Sequence, residues 1–136
     1  MTNLHYEIKT HKMGRTYKAP RFYILNKGLN SGRPMNQPCP NFFVVKVDTK
    51  EERESLYYLT LSLQTGKYFS YYIKGSVIPF ITIGDARKVL NTAIQNYKQQ
   101  QWGLKVEKLK KVTAYENNLQ QQLNTIYKLK IALLRI

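Results

Sequence analysis

The first third of the chain carries three short apolar segments whose patterns predict β-strands. Leu4–Ile8 alternates apolar and polar residues, and Arg21–Leu25 is a second segment of strand length. Phe42–Val47 is apolar on both of its faces and is predicted as a central strand. Residues 26–41 contain glycine, proline and asparagine at close intervals, so we predict a loop that neither continues the sheet nor forms a helix.

Two helical segments are predicted after the last of these strands. Thr49 and Glu52 have the spacing of a capping box, acidic residues fill the first turn, and Gly66 follows the last apolar position. A helix over 50–64 is therefore expected, and its leucines would cover the sheet. Residues 67–74, KYFSYYIK, predict a shorter helix that ends at the next glycine.

The stretch GSVIPFITIGDARKVL, Gly75–Leu90, is predicted to carry the chain across the core and into a new helix. Gly75 and Ser76 would form a turn, and the apolar run VIPFITI after them is expected to be extended and buried. The proline in that run indicates a sheet edge or a loop-like passage. Thr82 and Asp85 then have the spacing of a second capping box, which would begin a helix with an exposed basic first turn.

The C-terminal segment has no residue that interrupts a helix, and its apolar positions recur at intervals of three and four. A helix of about 33 residues would be about 50 Å long, which is longer than a domain of this size. It is expected to pair with the same helix of a second copy, or else to fold back on its own domain. One form of this prediction is a single arm from Thr82 to Leu134 with a bend at Gly103. The expected dimer contacts are Val112, Tyr115, Leu119, Leu123, Ile126 and Leu133.

Together these elements predict an α+β fold, in which helices cover a small sheet and a long C-terminal helix forms an arm like that of a coiled coil. A chain of 136 residues is long enough for one domain with an appendage. We therefore expect a globular domain over residues 1–100 and a helical dimerisation arm over 101–136.

The excess of basic residues indicates a class of binding partner. The chain has 22 Lys and Arg against 8 Asp and Glu, for a formal net charge of +14. Residues 1–47 carry +7, residues 48–85 carry −1 and residues 86–136 carry +8. Two basic blocks attract polyanions at long range, so nucleic acid is the expected partner. The alternative is that the charge only keeps the protein in solution.

The segment KTHKMGRTYKAPRFY places a basic residue at every third position and interleaves tyrosines, which suits a loop that follows phosphates. Tyr17 and Tyr23 would stack or hydrogen-bond there, Arg33 is the candidate for reading a guanine edge, and the lysines of residues 105–111 would add phosphate contacts. The alternatives are a solvated loop and a solvated helix face. The candidate nucleic-acid-binding residues are Lys12, Arg15, Lys18, Arg21, Lys27, Arg33, Lys74 and Ser76.

No arrangement of residues predicts a catalytic or metal site. His5 and His11 have the wrong spacing for a metal-binding pair, and Cys39 lies between two prolines without a nearby base, so it is interpreted as an inert thiol. The protein is expected to be non-enzymatic and to need no cofactor. Without a membrane-spanning apolar stretch or a signal peptide, it is expected to be cytoplasmic.

A longer pattern in the second half of the chain resembles a known family. SLYYLTLSLQTGKYFSYYIKGSVIPFITIGDARKVL, followed by a long helix ending in YENNLQQQLNTIYKLKIALL, resembles part of a target recognition domain and its adjoining helix. These occur in the DNA-specificity subunits of type I restriction-modification systems, which usually carry two such domains where this chain has one. The similarity covers roughly residues 55–136.

This resemblance implies a dimeric module for double-stranded DNA, with a methyltransferase or another restriction-modification subunit as a further partner. The chain is also similar to short basic proteins of Bacteroides-type bacteria to which no activity is assigned. The alternative function is a non-catalytic adaptor that uses the C-terminal helix to join a larger complex.

Overall fold

A computed structural model of the protein describes residues 4–12, 14–37, 40–96 and 102–135. The chain has an α+β fold, as the hydrophobic pattern predicts, with one four-stranded antiparallel sheet in the order β1-β4-β2-β3. The elements are β1 (Tyr6–Thr10), β2 (Arg21–Leu25), β3 (Pro34–Met35), β4 (Phe42–Val47), α1 (Lys50–Thr65), α2 (Ile83–Asn96) and α3 (Trp102–Leu134). A single 3₁₀ turn, Ser70–Tyr72, lies between α1 and α2.

The sheet is built around β4, which pairs with β1 on one side and β2 on the other. Apolar side chains on both faces of β4 explain this central position, since both faces are covered. The β2 strand has the bounds expected from the sequence, whereas β1 begins two residues later than predicted and extends to Thr10. The edge strand β3 contradicts the prediction that residues 26–41 add nothing to the sheet. Pro34 is tolerated there because an edge strand does not need every N–H group in the ladder.

One face of the sheet packs against the helices. Successive side chains along a strand point to opposite faces, and directly paired residues of neighbouring strands point to the same face. The ring of Tyr57 on α1 meets Phe22 edge-on, with 5.6 Å between the ring centroids. Burial raises the pKa of Tyr6 to about 12. Its hydroxyl group donates a hydrogen bond of 2.6 Å to Oδ1 of Asn91 on α2. The buried residues of this face are Ile8, Phe22, Ile24, Phe43, Val45 and Val47.

The opposite face is covered by the basic loop that precedes β2. Tyr23, Phe42 and Val44 form a small buried cluster there, and Tyr17 from the loop packs against it. The side chain of His11 also contacts the Tyr17 hydroxyl at 3.2 Å. The segment predicted to follow a nucleic acid therefore has a structural role, and its two tyrosines are part of the packing. With 4 % of its surface exposed, Tyr23 cannot stack on a ligand, which corrects that expectation.

The two helices of the globular part begin where the capping signals predict. Thr49 precedes α1, and its side-chain oxygen accepts a hydrogen bond of 3.1 Å from the backbone N–H of Glu52. Thr82 does the same for Asp85 at the start of α2, at 3.2 Å. These bonds satisfy backbone donors that have no partner inside a helix. The α1 helix contacts β2, β3 and β4, so the helix predicted over 50–64 does cover the sheet.

Two predictions between α1 and α2 are wrong. Residues 67–74 form no regular helix, because the chain turns at Lys67, whose backbone is left-handed, and makes only the short 3₁₀ turn. The apolar run after Gly75 is not buried either. Val77 and Ile78 are 90 % and 63 % exposed, whereas Ile81 further along is 3 % exposed. The reason is that hydrogen bonds close this part of the run into a turn, and only the end of the run reaches the core.

The C-terminal helix α3 begins at Trp102 and ends at Leu134, and its 33 residues agree with the length expected from the sequence. The described residues form two compact units, one up to Trp102 and the other from Gly103. The prediction of an arm continuous with α2 depends on residues 97–101, which lie outside the described residues, as does Cys39.

The contact between Gly32 and Phe69 yields a test of the fold. Gly32 has a φ of 101°, and a Cβ added there would lie 2.4 Å from the ring of Phe69, which is 1 % exposed. We expect Gly32→Ala to lower the free energy of unfolding by about 3 kcal/mol, through backbone strain and overpacking together. Gly28→Ala is the matched control, because Gly28 has a φ of 93° and open space around its Cβ. The control should cost about 1 kcal/mol in urea unfolding, and equal losses would contradict the close approach.

Candidate nucleic-acid interface

A surface cleft of about 600 Å³ brings together basic residues that are distant in the sequence. Lys18 comes from the loop before β2, and Arg21 is the first residue of that strand. Lys50 and Arg53 come from the first turns of α1. The cleft forms because the start of β2, the end of β3 and the start of α1 meet at one edge of the sheet. Its lining is Lys18, Ala19, Pro20, Arg21, Asn36, Lys50, Arg53 and Glu54, with Glu54 as its one carboxylate.

Arg53 is the most firmly placed cation of the cleft. Its Nε donates a hydrogen bond of 2.6 Å to the carbonyl oxygen of Arg21, and its Nη2 donates one of 2.5 Å to Oδ1 of Asn36. The guanidinium also lies 5.5 Å from the ring centroid of Tyr57, within the range of a cation–π contact. These contacts tie α1 to β2 and to the residue after β3. Because the guanidinium is already ordered, binding of a ligand to it would cost little side-chain entropy of Arg53.

Arg21 is also held in a defined orientation. Its Nε donates to the Tyr23 hydroxyl and its Nη1 to the carbonyl oxygen of Ala19, each at 3.3 Å. The loop itself is fixed to the sheet by a backbone bond of 3.0 Å from the N–H of Val47 to the carbonyl oxygen of Pro20. Lys18, by contrast, is exposed, and the flexible stem of a lysine lets its ammonium group adapt to a ligand. The cleft therefore combines two preorganised guanidinium groups with adaptable ammonium groups.

The electrostatics near α1 extend the basic site toward Arg33. Burial and the neighbouring Tyr58 raise the pKa of Tyr57, while the positive charges of Arg53 and Arg33 act in the opposite direction. Arg33 is exposed and lies in the loop before β3, so its charge reaches the same part of the surface. Four to five cations around one carboxylate suit a ligand that carries several negative charges, such as a nucleic-acid backbone.

The other candidate residues do not line this cleft. Lys12 and Arg15 are exposed in the loop that covers the second sheet face, where Arg15 donates a backbone bond of 3.2 Å to the carbonyl oxygen of Lys12. Lys27, Lys74 and Ser76 are exposed around the turn that follows Lys74. Lys74 is not free there, since its Nζ lies 3.1 Å from Oδ2 of Asp85, and this contact lowers the pKa of the carboxyl group.

Sequence reasoning missed Lys50 and Arg53. From its acidic residues, the first turn of α1 is interpreted only as the start of a helix, and the basic residues beside them are not considered. Lys50 and Arg53 are three positions apart, which places them on the same side of a helix, and this spacing is the signal that could have identified them. Their closeness to Lys18 and Arg21 depends on strand pairing and is not visible in the sequence.

The second surface with functional character is the apolar stripe of α3. The six residues predicted at a dimer interface fall within an arc of about 80° around the helix axis, at 100° per residue. All six are exposed, and Leu119 at 48 % and Leu133 at 76 % are the extremes of the set. A long apolar stripe in contact with water is typical of a helix that binds another chain.

Two further findings concern metal binding and membrane-spanning helices. In residues 4–12, 14–37, 40–96 and 102–135, no cluster of three or more His, Cys, Asp or Glu side chains is arranged to hold a metal ion. Within the same part of the chain, no helix has the length and apolar character needed to cross a membrane.

The fold and the cleft define a small α+β protein with a preorganised basic site and an exposed apolar helix. The chain belongs to a family of unknown function (DUF6943), whose model matches residues 8–136. No curated protein and no solved structure matches it.

Proposed function

We propose that this protein binds double-stranded DNA through the cleft formed by Lys18, Arg21, Lys50 and Arg53. The observation that carries the proposal is the placement of these four cations, two of them held by hydrogen bonds, around a single carboxylate. Phosphate contacts from Arg and Lys supply most of the affinity of proteins for DNA. The net charge of +14 favours the same class of ligand, because it raises the rate of encounter with a polyanion.

In this proposal the protein acts as a cytoplasmic, non-catalytic homodimer. The α3 helices of two copies pair through their apolar stripes, antiparallel and around a two-fold axis, so that two equivalent clefts bind one duplex. The resemblance of residues 55–136 to DNA-specificity subunits supports a recognition role, and a methyltransferase or related subunit is the further partner that this resemblance suggests. Two linked binding sites bind more tightly than one by a factor set by their effective concentration.

The proposal is tested by titrating a short duplex with the full-length protein at several salt concentrations. We expect binding that weakens steeply between about 50 and 200 mM salt, because each phosphate contact releases counterions on binding. A plot of log affinity against log salt should have a slope of several units, about 0.9 for each phosphate contact. Absence of binding at about 50 mM salt would contradict the proposal.

An adaptor function is the second candidate, and the exposed stripe of α3 is the observation that favours it. In that case α3 binds a helix of another protein, and the basic charge serves solubility. The two candidates differ in the duplex titration, since an adaptor has no reason to bind DNA at any salt concentration. They also differ in the oligomeric state of the isolated protein, which is a monomer for the adaptor and a dimer for the DNA-binding proposal.

A further inference from the structure

Backbone hydrogen bonds close the turn between Lys74 and Phe80. The two residues exchange backbone hydrogen bonds in both directions, each of 2.8 Å. Gly75 has a φ of 96°, and a Cβ at this position would lie 2.6 Å from the carbonyl oxygen of Ile78. A glycine is therefore required for the close approach of the two sides of the turn.

The base of the turn is fixed to the globular domain. The N–H of Gly28 donates to the carbonyl oxygen of Pro79 at 2.7 Å, and the N–H of Ile81 donates to that of Asn26 at 3.0 Å. The side chain of Ile81 is buried in the core. The turn is thus held at its base by the core and by a neighbouring loop, while its tip extends into solvent.

The tip holds aliphatic side chains in water. Val77 is 90 % exposed and Ile78 is 63 % exposed. Leu29 is 78 % exposed. Gly28 pairs with Pro79, so Leu29, which follows Gly28, and Ile78, which precedes Pro79, lie at the same end of this antiparallel pairing. A single exposed aliphatic residue is common on protein surfaces. Several of them at the end of one turn are not explained by the packing of the fold.

Two lysines flank the base of this turn. Phe80 is bridged to Lys27 on one side and to Lys74 on the other, so the three side chains lie on the same face of the pairing. Lys27 is exposed, and Lys74 has 58 % of its side chain exposed despite its contact with Asp85. An apolar tip that projects beyond a base flanked by two lysines matches the groove of a DNA duplex, where bases lie between two rows of phosphates.

The size of the tip favours DNA over two other partners. A protein interface needs about 800 Å² from each side, which two side chains on a narrow turn do not supply. Burial of one Val and one Ile in a bilayer gives at most the marginal anchoring of a single acyl chain. A DNA kink, by contrast, needs only one or two apolar side chains between base steps.

We propose that Val77 and Ile78 insert into the minor groove of duplex DNA and bend it, while Lys27 and Lys74 contact the flanking phosphates. This inference rests on the DNA binding proposed above and adds a second contact to the cleft. It gives the two exposed aliphatic residues after Gly75 a role in ligand binding. The side chains need no specific base sequence, so the preference they add is for steps that unstack easily, such as TA.

The test uses the full-length protein and a short duplex with a fluorescent donor and acceptor at its ends. Wild-type protein is expected to raise energy transfer, because kinks of this type bend DNA by about 20 to 90°. The double variant Val77→Ser, Ile78→Ser should lose this increase and keep binding within about tenfold, since the cleft is unchanged. The control variant Val77→Ile, Ile78→Val keeps both side chains aliphatic and should bend DNA like wild type.

Each outcome separates this inference from the function on which it rests. If the serine variant bends DNA as wild type does, the insertion is wrong and DNA binding stands. If wild-type protein does not bind the duplex at all, both proposals are wrong. A third outcome would assign the tip to a membrane surface instead. In that outcome wild-type protein does not bend DNA but sediments with phosphatidylserine vesicles, and the serine variant does not sediment with them. Equal melting temperatures of the three proteins check that the exposed positions leave the fold intact.

Discussion

Reversal of the charge at Lys18 and Lys50 is expected to weaken binding to duplex DNA on the order of 100-fold at moderate salt. The two side chains line the basic cleft and are exposed. A hydrogen bond to a charged group contributes about 1.5 to 3 kcal/mol, so loss of two such bonds corresponds to at least about 100-fold. The slope of log affinity against log salt should also fall by about 2, because two counterion-releasing contacts disappear.

These positions are chosen so that the variant Lys18→Glu, Lys50→Glu still folds. Lys50 is the first residue of α1, where a negative charge interacts favourably with the helix dipole. The matched control is Lys67→Glu, Lys128→Glu, which makes the same change in net charge at exposed positions outside the cleft. A gel-shift titration of the three proteins measures the effect. Similar losses in both variants would show that only the overall charge matters and that the cleft is not the site.

A second variant of the cleft separates charge from geometry. Arg53→Lys keeps the positive charge but loses the planar guanidinium that bonds Arg21 and Asn36 at the same time. Part of its effect on binding will therefore reflect the local structure. Unfolding in urea should be measured beside DNA binding so that the two effects are compared on the same protein.

If α3 pairs two copies as proposed, replacement of Leu119 and Leu123 by lysine is expected to convert the dimer into folded monomers. Both side chains are about half exposed in the single chain, so the fold of one copy does not depend on them. Charges placed on the stripe of each helix would be buried without partners in a dimer, which is strongly unfavourable. DNA affinity should fall by a factor of about 100 or more, because each monomer retains one cleft and loses the effective concentration of the second.

The control for this pair places the same charges on the other side of α3. Asn117 and Gln121 lie roughly opposite the stripe at 100° per residue, and both are exposed. Asn117→Lys, Gln121→Lys should therefore remain dimeric and should bind DNA at least as well as wild type. Sedimentation at tens of micromolar protein measures the oligomeric state. A wild-type protein that is already monomeric there would show that the stripe does not pair two copies.

Local signals in the sequence located the regular elements well. The two-sided apolar pattern of Phe42–Val47 identified the central strand, and the side-chain oxygens of Thr49 and Thr82 marked the starts of α1 and α2. These signals succeed because they act over at most four residues. Strand alternation and helix capping are both set by neighbours in the chain, so a sequence contains all that is needed to recognise them.

The same reasoning failed where a segment depends on distant partners. Residues 67–74 have a composition compatible with a helix, but the left-handed backbone at Lys67 and the pairing of Lys74 with Phe80 direct the chain into turns. Apolar composition also predicted burial of Val77 and Ile78. Composition reports what a side chain gains from burial, but the closed turn holds these two residues away from the core of the chain.

What the sequence determined by itself is the α+β class, the places of the main strands and helices, the apolar stripe of α3 and the strong positive charge. The tertiary structure decided which of those charges lie close together. Lys18 and Arg21 meet Lys50 and Arg53 only because antiparallel pairing brings the start of β2 next to the start of α1. It also decided that Tyr17 and Tyr23 belong to the packing while Val77 is presented to solvent. The physical reason is that exposure and the distance between charges depend on contacts across the whole chain, whereas periodicity and capping depend on a few neighbouring residues.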